Sequence, residues 1–348
     1  MNERSEQLVE VTRGALVECV HRGSLAVVDR AGSLLAYVGD PELVTFMRSA
    51  AKPLQALLIV ESGAADAFGL TDAELAVACG SHSGQKEHVE AVLSLLNKAG
   101  VDPRWLDCGV HPPIDREARK SLYEAGEKPW EVHCNCSGKH AGMLAVCSHL
   151  GLELEDYRKP EHPLQEMIRR VVADVASLPA DDVILAPDGC GVVVHGLPLM
   201  NMAYAFARLA TGEGLSAERQ ESAGRIRSAM RDNPLLVAGN GRVCTAINGL
   251  NSSRFVAKSG AAGVYCLGDS REGIGMAVKI DDGNGRPAGM SAVEAARQMG
   301  LLDREDEEVL EEFRSVVNTN LAGENVGHVE PTFVLREGRI ATERSDQS

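Results

Sequence analysis

A serine and a lysine three residues apart, Ser49 and Lys52, form a pair that could carry out nucleophilic chemistry. On a helical turn, side chains at this spacing lie on the same face and within reach of each other. A serine hydroxyl becomes a nucleophile when a neighbouring base takes its proton, and a lysine amine can serve as that base when an apolar setting keeps it neutral. The surrounding stretch Phe46–Leu54 is mostly apolar. The pair therefore predicts a serine nucleophile with a lysine base, although the same pattern also occurs on ordinary surface helices.

Two further segments could complete such a site. Ser81 and Ser83 flank His82 in a stretch bounded by glycines, where a backbone can approach a ligand closely and hydroxyl groups can pass protons. Lys258 follows the apolar run Phe255–Ala257 and precedes a Ser-Gly pair, as at the end of a buried strand that faces a cleft. A polar loop and a strand end with a solvated lysine remain alternatives. Together with the first pair, these segments follow the order of elements in serine β-lactamases and penicillin-binding proteins, although the middle one departs from Ser-Asp-Asn.

Cysteines and histidines cluster in the segment His133–Gly142, and Cys190 lies between two glycines further along the chain. Such a cluster invites a metal-binding interpretation, but the cysteine spacing of common structural zinc sites is missing from it. Spacing alone therefore favours buried, inert thiols. Asp188, between a proline and a glycine, could be a turn residue or a carboxylate presented to a ligand.

The elements that must position these residues are strands at both ends of the chain and helices between them. Patterns rich in alternating apolar residues predict strands within Leu8–Val38 and again after Gly241, including Val243–Ile247 and a last strand at Thr332–Leu335. Apolar periodicity and capping patterns predict a series of helices between about Pro53 and Met230. This layout favours an α+β architecture, in which an antiparallel sheet built from both termini packs with helices.

Composition limits the classes of protein that fit. The 348 residues are 44% apolar, which is enough for a sizeable core, whereas a net charge of −15 and only 4% aromatic residues disfavour nucleic-acid binding. The apolar runs are too short to cross a membrane, and Met1–Glu10 lacks the apolar core of a signal peptide. The nine cysteines, an odd number, favour reduced thiols. We expect a cytoplasmic enzyme with one two-lobed domain over residues 1–340 and a polar tail over residues 341–348.

Several segments, in this order, resemble the asparaginase II family, the rhizobial-type class 3 L-asparaginases. They are Met47–Pro53, Cys79–Gly84, His133–Gly142, Pro187–Gly191 and Ala257–Gly260. The likeness extends from about Leu8 to Leu335. It implies a fold similar to those of serine β-lactamases and glutaminases, a homodimer, and hydrolysis of L-asparagine to L-aspartate and ammonia.

The resemblance also implies two serine–lysine pairs. In the first, Ser49 is activated by Lys52 and forms an acyl-enzyme ester. In the second, Ser81 and Lys258 relay a proton to the departing nitrogen and help to activate water.

A zinc site is implied as well, made of Cys136, Lys139 and Cys190 with water as the remaining ligand. A lysine must lose its proton to bind a metal, so spacing rules built on cysteine and histidine would miss such a site. The sequence departs from the family at Cys134, where asparagine is usual, and at Val192–His195. The positions that the resemblance places around the substrate are Arg48, His140 and Asp188.

Two other classes of protein remain as alternatives. A β-lactamase-like or peptidase-like acyl hydrolase would use the same serine–lysine logic, but the lack of a signal sequence disfavours a cell-wall substrate. A non-catalytic relative that binds zinc or an amino acid would not need all four serine and lysine positions. Ammonia release from asparagine, glutamine and a chromogenic β-lactam would separate these hypotheses.

Overall fold

The computed structural model describes residues 4–338 and divides them into two compact units. The first unit consists of the described parts of Met1–Thr45, Leu197–Thr211 and Leu250–Ser348, and the second of Phe46–Gly196 and Gly212–Gly249. The predicted tail of residues 341–348 lies outside the described residues. The single domain over residues 1–340 stays a prediction.

The secondary structure contains both helices and strands. The strands are β1 (Glu6–Arg13), β2 (Leu16–Val28), β3 (Leu34–Val38), β4 (Val44–Phe46), β5 (Ile184–Pro187), β6 (Val193–Pro198), β7 (Phe255–Gly260), β8 (Val264–Asp269), β9 (Ile274–Ile280), β10 (Val316–Thr319), β11 (Asn325–Pro331) and β12 (Arg336–Glu337). The helices are α1 (Lys52–Glu61), α2 (Ala64–Ala67), α3 (Asp72–Ala78), α4 (Lys86–Lys98), α5 (Arg116–Glu124), α6 (Ser137–Leu150), α7 (Pro163–Val175), α8 (Leu199–Thr211), α9 (Ala217–Asp232), α10 (Pro234–Val237), α11 (Val243–Asn248), α12 (Gly285–Gln298) and α13 (Arg304–Arg314). Within residues 4–338, no helix combines the length and the apolar character needed to cross a membrane.

An antiparallel sheet forms the core of the first unit. Its strands follow the order β10-β11-β1-β2-β9-β8-β7, with β3 paired to β2 and β12 paired to β3. The 13-residue β2 pairs with β1 along its first part and with β3 and β9 along its second. Strands from both ends of the chain therefore share one sheet. This confirms the predicted α+β class and the sheet built from both termini.

Glycines allow α8 to lie directly on this sheet. Gly268 of β8 is paired with Gly275 of β9. A Cβ atom at these positions would come within 2.1 Å of the Phe206 carbonyl oxygen and 1.9 Å of the Ala203 carbonyl oxygen, respectively. Helix α12 packs against the same two strands, and β8 is buried along its whole length. Because side chains alternate across a sheet, both faces of these strands are covered.

Helix α6 is central to the second unit and packs against α1, α3 and α4. A Cβ at Gly138 would lie 2.2 Å from the Val77 carbonyl oxygen, and one at Gly142 would lie 2.5 Å from Ile59 Cδ1. The missing side chains let α6 approach α3 and α1 closely. The first turns of α6, which carry Lys139, are buried as a result.

Two predicted strands are wrong. Residues Val243–Ile247 belong to α11, because the buried side chains of Cys244 and Ile247 recur at helical spacing. Packing at that spacing outweighs the β-branched composition of the segment. Residues Thr332–Leu335 connect β11 to β12 rather than forming a strand of their own.

Candidate active site

Lys52 begins α1, and its side chain is almost wholly buried, with 1% of the residue exposed. Its Nζ donates to two backbone carbonyl oxygens, those of Gly80 at 2.6 Å and Asn135 at 3.3 Å. The third acceptor is Ser81 Oγ, at 3.0 Å. A buried amine is costly unless its hydrogen bonds are made, and these three acceptors satisfy it. The structure therefore brings the first two predicted segments together through Lys52 and Ser81.

Ser49 lies in a short 3-10 turn, Arg48–Ala51, that leads directly into α1. Arg48 has a positive φ of 52°, in the left-handed region that residues other than glycine rarely adopt. Such backbone strain is concentrated at functional sites. Ser49 is half-buried and precedes Lys52 by one turn. The strained turn thus carries the predicted nucleophile and leads directly to the lysine that contacts Ser81.

The loop Gly80–Gly84 holds Ser81 by its backbone. The Ser81 N–H donates to the Val237 carbonyl oxygen at 2.9 Å. A Cβ atom on Gly80 would come within 2.6 Å of the Leu236 carbonyl oxygen, so this close approach requires glycine. The glycine in the sequence motif therefore has a structural reason, and it fixes Ser81 in front of Lys52.

His82, fully buried, ties this loop to the start of α6. Its Nδ1 accepts a hydrogen bond from the Gly84 N–H at 3.2 Å, so Nε2 carries the proton and donates to Ser137 Oγ at 2.8 Å. The Ser137 hydroxyl then donates to the Val132 carbonyl oxygen at 2.8 Å. Burial is the main cause that lowers the pKa of His82 well below its ordinary value. The ring is neutral and acts as a fixed connector.

Cys136, Lys139 and Cys190 come together at the start of α6. Lys139 Nζ lies 3.0 Å from Cys190 Sγ, and the thiols of Cys136 and Cys190 contact each other. Burial alone would lower the pKa of Lys139, but the thiol groups of Cys190 and Cys136 raise it above its ordinary value. Two sulfur atoms and one nitrogen are donors that zinc accepts. No three His, Cys, Asp or Glu side chains within residues 4–338 are arranged to hold a metal, so a site here depends on the lysine.

Cys134 extends this group into a row of four thiols. Its thiol contacts those of Cys108 and Cys136, and its Sγ lies 3.4 Å from the Cys108 carbonyl oxygen. These two contacts and burial raise the pKa of Cys134. Hydrogen bonds from Cys134 and Cys190 instead hold the pKa of Cys136 well below its ordinary value. Cys136 is therefore better suited than Cys134 to bind a metal as a thiolate.

Arg48 and Asp188, two of the predicted substrate-binding residues, form an ion pair. Arg48 Nε lies 2.8 Å from Asp188 Oδ1, and the side chains are 29% and 9% exposed. The same carboxylate oxygen accepts the Gly189 N–H at 2.8 Å, and the Asp188 carbonyl accepts the Gly191 N–H at 2.9 Å. Asp188 is thus a turn residue whose carboxylate pairs with Arg48, and its presentation to a ligand stays a prediction.

His140, the third predicted pocket residue, lies fully buried on α6. Its Nδ1 is 2.5 Å from the Tyr157 hydroxyl, whereas its Nε2 has no hydrogen-bond partner among the described residues. Burial, followed by the charge of Lys139, lowers the pKa of His140 well below its ordinary value. Sequence reasoning missed Tyr157. The only sequence feature that could have indicated Tyr157 is that it is an aromatic residue in the otherwise charged segment after α6.

Asn135 was also missed, because it acts through its main chain. Its carbonyl oxygen accepts from Lys52 and from the His82 N–H, the latter at 3.2 Å. Its own N–H donates to Nε2 of His111 at 2.9 Å. A backbone role does not require a particular side chain, so residue types and spacing cannot reveal it.

Lys258 lies in the first unit, on β7, where a strand was predicted. The residue is buried, and its Nζ donates to the Ser259 carbonyl oxygen at 2.9 Å. The strand is confirmed. The pairing of Lys258 with Ser81 stays a prediction.

Comparisons with known proteins point to a family. The crystal structure of a protein called Mglu aligns with a TM-score of 0.44 and 16% identity over 80% of this chain and 67% of the Mglu chain. A β-lactamase from Mycobacterium bovis aligns with a TM-score of 0.37 and 16% identity, over 84% of this chain and 94% of the other. No curated protein matches the sequence. The family model described as L-asparaginase II matches residues 9–331.

Proposed function

The chain belongs to the L-asparaginase II family, whose members are amide hydrolases, and on that premise we propose that it converts L-asparagine to L-aspartate and ammonia. The observation that carries the proposal is buried Lys52, whose Nζ lies 3.0 Å from Ser81 Oγ, one helical turn after Ser49. A base in reach of serine hydroxyls is the arrangement that serine acyl transfer requires.

In the first half-reaction, Ser49 is the nucleophile. Lys52 acts in its neutral form, in which the amine keeps two N–H donors for the carbonyl oxygens of Gly80 and Asn135 and has a free electron pair. The Oγ of Ser49 bonds to the side-chain amide carbon of the substrate while its proton moves to that electron pair. Ser81 takes that proton from Lys52 and gives its own to the amide nitrogen. The carbon–nitrogen bond then breaks, ammonia leaves, and an ester joins Ser49 to the aspartyl group.

Water completes the reaction. It attacks the ester carbon, one of its protons passes to Lys52, and the same proton returns to Ser49 Oγ as the ester bond breaks. We assign Lys258 to the second pair, in which it assists proton transfer through Ser81. Aspartate is released, and the serine and lysine regain their starting states.

Arg48 and Asp188 are proposed to recognise the amino-acid part of the substrate. An amino acid presents an α-carboxylate and an α-ammonium group, and the side chains offer one cation and one anion. Without substrate they neutralise each other at 2.8 Å. Binding would exchange this internal pair for two pairs with the substrate. The neutral His140 ring, with its unbonded Nε2, is a candidate for a further contact.

The donor atoms of Cys136, Lys139 and Cys190 fit a zinc ion. Their contacts and their burial support this assignment, and the low pKa of Cys136 favours the thiolate that a metal needs. Bound zinc would supply a localised positive charge that helps to position the substrate. The protein would supply three ligand atoms, two sulfurs and one amine nitrogen, near the start of α6.

Covalent labelling tests the identity of the nucleophile, because Ser81 contacts Lys52 whereas Ser49 precedes it by one turn. A diazoketone analogue of asparagine should modify Ser49, as peptide mapping by mass spectrometry would show. We expect Ser49→Ala to lower turnover by about 10³-fold or more, since it removes the attacking atom. Ammonia release from asparagine measures this loss. An adduct on Ser81, or Ser49→Ala activity within about tenfold of the native enzyme, would contradict the assignment.

Other substrates separate the remaining hypotheses. Glutamine and a chromogenic β-lactam, assayed beside asparagine, test a broader amidase and a β-lactamase-like hydrolase. Binding of asparagine without turnover would favour a non-catalytic relative. The homodimer and the cytoplasmic location stay predictions.

A further inference from the structure

Two of the four thiols in the row have no part in the proposed reaction. Cys136 and Cys190 belong to the proposed zinc set, whereas Cys108 and Cys134 belong to no assigned site. The two are 4% and 3% exposed. They come from separate segments, Cys108 from the loop before α5 and Cys134 from the turn that precedes α6. Two unassigned thiols in contact can be joined by oxidation once one of them reacts as a thiolate.

We propose that Cys108 and Cys134 form a disulfide when the protein is oxidised, and that this bond lowers the activity of the neighbouring site. Cys134 Sγ lies 3.4 Å from the Cys108 carbonyl oxygen, so it is packed against the backbone of its partner. Cys108 Sγ donates to the Glu131 carbonyl oxygen at 3.3 Å, three residues before Cys134 in the chain. Each thiol is thus held against the segment that carries the other. A disulfide can form only between cysteines on closely neighbouring segments, as these two are.

The reaction balances with hydrogen peroxide as the oxidant. Two sulfur–hydrogen bonds break and one sulfur–sulfur bond forms, which releases two protons and two electrons. Peroxide takes them up, its oxygen–oxygen bond breaks, and two water molecules leave. A dithiol reductant reverses the process by thiol–disulfide exchange.

The consequence for activity follows from the residue after Cys134. Asn135 accepts hydrogen bonds from Lys52 at 3.3 Å and from the His82 N–H at 3.2 Å. Sulfur atoms in a disulfide are about 2.05 Å apart, which is more than 1 Å closer than atoms in simple contact. Closing the bond therefore pulls on the peptide that fixes Lys52. A displacement of about 1 Å near a catalytic group can lower turnover by up to about 100-fold.

Peptide mapping of the full chain tests the bond itself. The protein is reduced with dithiothreitol, desalted, treated with hydrogen peroxide and digested without reductant. We expect a cross-linked peptide pair containing Cys108 and Cys134, with a mass loss of about 2 Da for the two hydrogens. A bond between Cys134 and Cys136, or oxidation of either thiol to sulfinic acid without a cross-link, would overturn the proposal.

Turnover before and after oxidation tests the effect. The native protein should lose at least about tenfold in asparagine hydrolysis and regain it with dithiothreitol. Cys134→Ala and Cys108→Ala should each resist the loss, every variant being compared with its own reduced form. Cys147→Ala is the matched control, because this buried cysteine of α6 lies outside the row, and it should remain as sensitive as the native protein. A disulfide that forms without loss of turnover would refute the regulatory effect.

The turnover experiment rests on the proposed function, whereas the peptide mapping of the disulfide does not. If the reduced protein fails to hydrolyse asparagine, the proposed function fails, and the map still decides whether the disulfide exists. If one cysteine variant does not fold, the other provides the same comparison.

Discussion

Two buried lysines of the second unit, Lys52 and Lys139, differ in the atoms that surround them. They are 1% and 4% exposed, so neither is solvated. The amine of Lys52 contacts oxygen atoms, two of backbone carbonyls and one of Ser81. The amine of Lys139 instead contacts the sulfur of Cys190 at 3.0 Å. Hydroxyl oxygens exchange protons readily, whereas thiolates bind metals, so the partners suit the two lysines to different tasks.

The charges around the two amines also differ. The hydrogen-bond acceptors of Lys52 are uncharged oxygens. Burial would lower the pKa of Lys139, yet Cys190 and Cys136 raise it, so an ammonium–thiolate pair is the favoured metal-free state. A zinc ion can bind there only if it displaces the proton of Lys139. Zinc binding should therefore weaken as the pH falls.

Replacing each lysine in turn should give the largest expected difference, in turnover and KM, between Lys52 and Lys139. Lys52→Met removes the proposed base, and turnover of asparagine should fall by about 10³-fold or more. Lys139→Met removes a proposed zinc ligand and should mainly raise KM. Steady-state kinetics on both variants measures the contrast. Lys52→Arg is the matched control, since it keeps a positive charge but cannot release a proton, and it should be as inactive as Lys52→Met.

Two results would remove the distinction. Lys52→Arg with near-native turnover would mean that the lysine supplies only charge. Lys139→Met with the turnover loss of Lys52→Met and with full zinc content would mean that Lys139 takes part in proton transfer.

Changes in the sulfur partners should have an intermediate effect. Cys136→Ala and Cys190→Ala each remove a proposed thiolate, so zinc should be lost, and KM should rise more than turnover falls. Elemental analysis of the purified variants measures the zinc. Cys134→Ala is the matched control, because Cys134 contacts Cys136 but belongs to no proposed ligand set, and zinc should remain. Zinc retained by the Cys136→Ala, Cys190→Ala double variant would show that the ligands lie elsewhere.

The sequence predicts the helices of the second unit well, because capping and periodicity are local signals. Thr71 and Glu74 form a capping box at the start of α3, and Asp115 caps α5. Val243–Ile247 was mistaken for a strand, since β-branched composition is a weaker determinant than the packing that makes α11 helical. The glycines Gly268 and Gly275 carried no signal of their own, because a close approach of α8 exists only in the folded sheet.

Residue types and spacing predict the parts of the candidate site in which side chains act. They do not reveal the parts in which the backbone acts. Ser49 and Lys52 follow from residue type and spacing. Lys139 and Cys190 are 51 residues apart, so the family resemblance was needed to link them. Asn135 supplies a carbonyl oxygen, which any residue possesses, and no pattern of residue types could have identified it.

The smallest expected effect in the comparison of the two lysines concerns His195, because the charge on Lys139 helps to lower the pKa of this histidine. The ring lies buried on β6, and neither of its nitrogens has a hydrogen-bond partner among the described residues. Burial, and then the positive charges of Lys139 and Arg169, lower its pKa from 6.5 to about 3. Between these two values the unfolded chain binds a proton that the folded protein does not. The free energy of unfolding must therefore fall as the pH decreases from 6.5 towards 3.

We expect His195→Leu to reduce the steepness of this fall by about one proton, because the group that takes up the proton is gone. Lys139→Met should have a smaller effect in the same direction, since one of the charges that oppose protonation is removed. Urea denaturation between about pH 7 and about pH 4 measures the free energy of unfolding of each variant. An unaltered slope in His195→Leu would mean that the folded protein already holds the proton, which would contradict the lowering of the His195 pKa by burial and by the neighbouring positive charges.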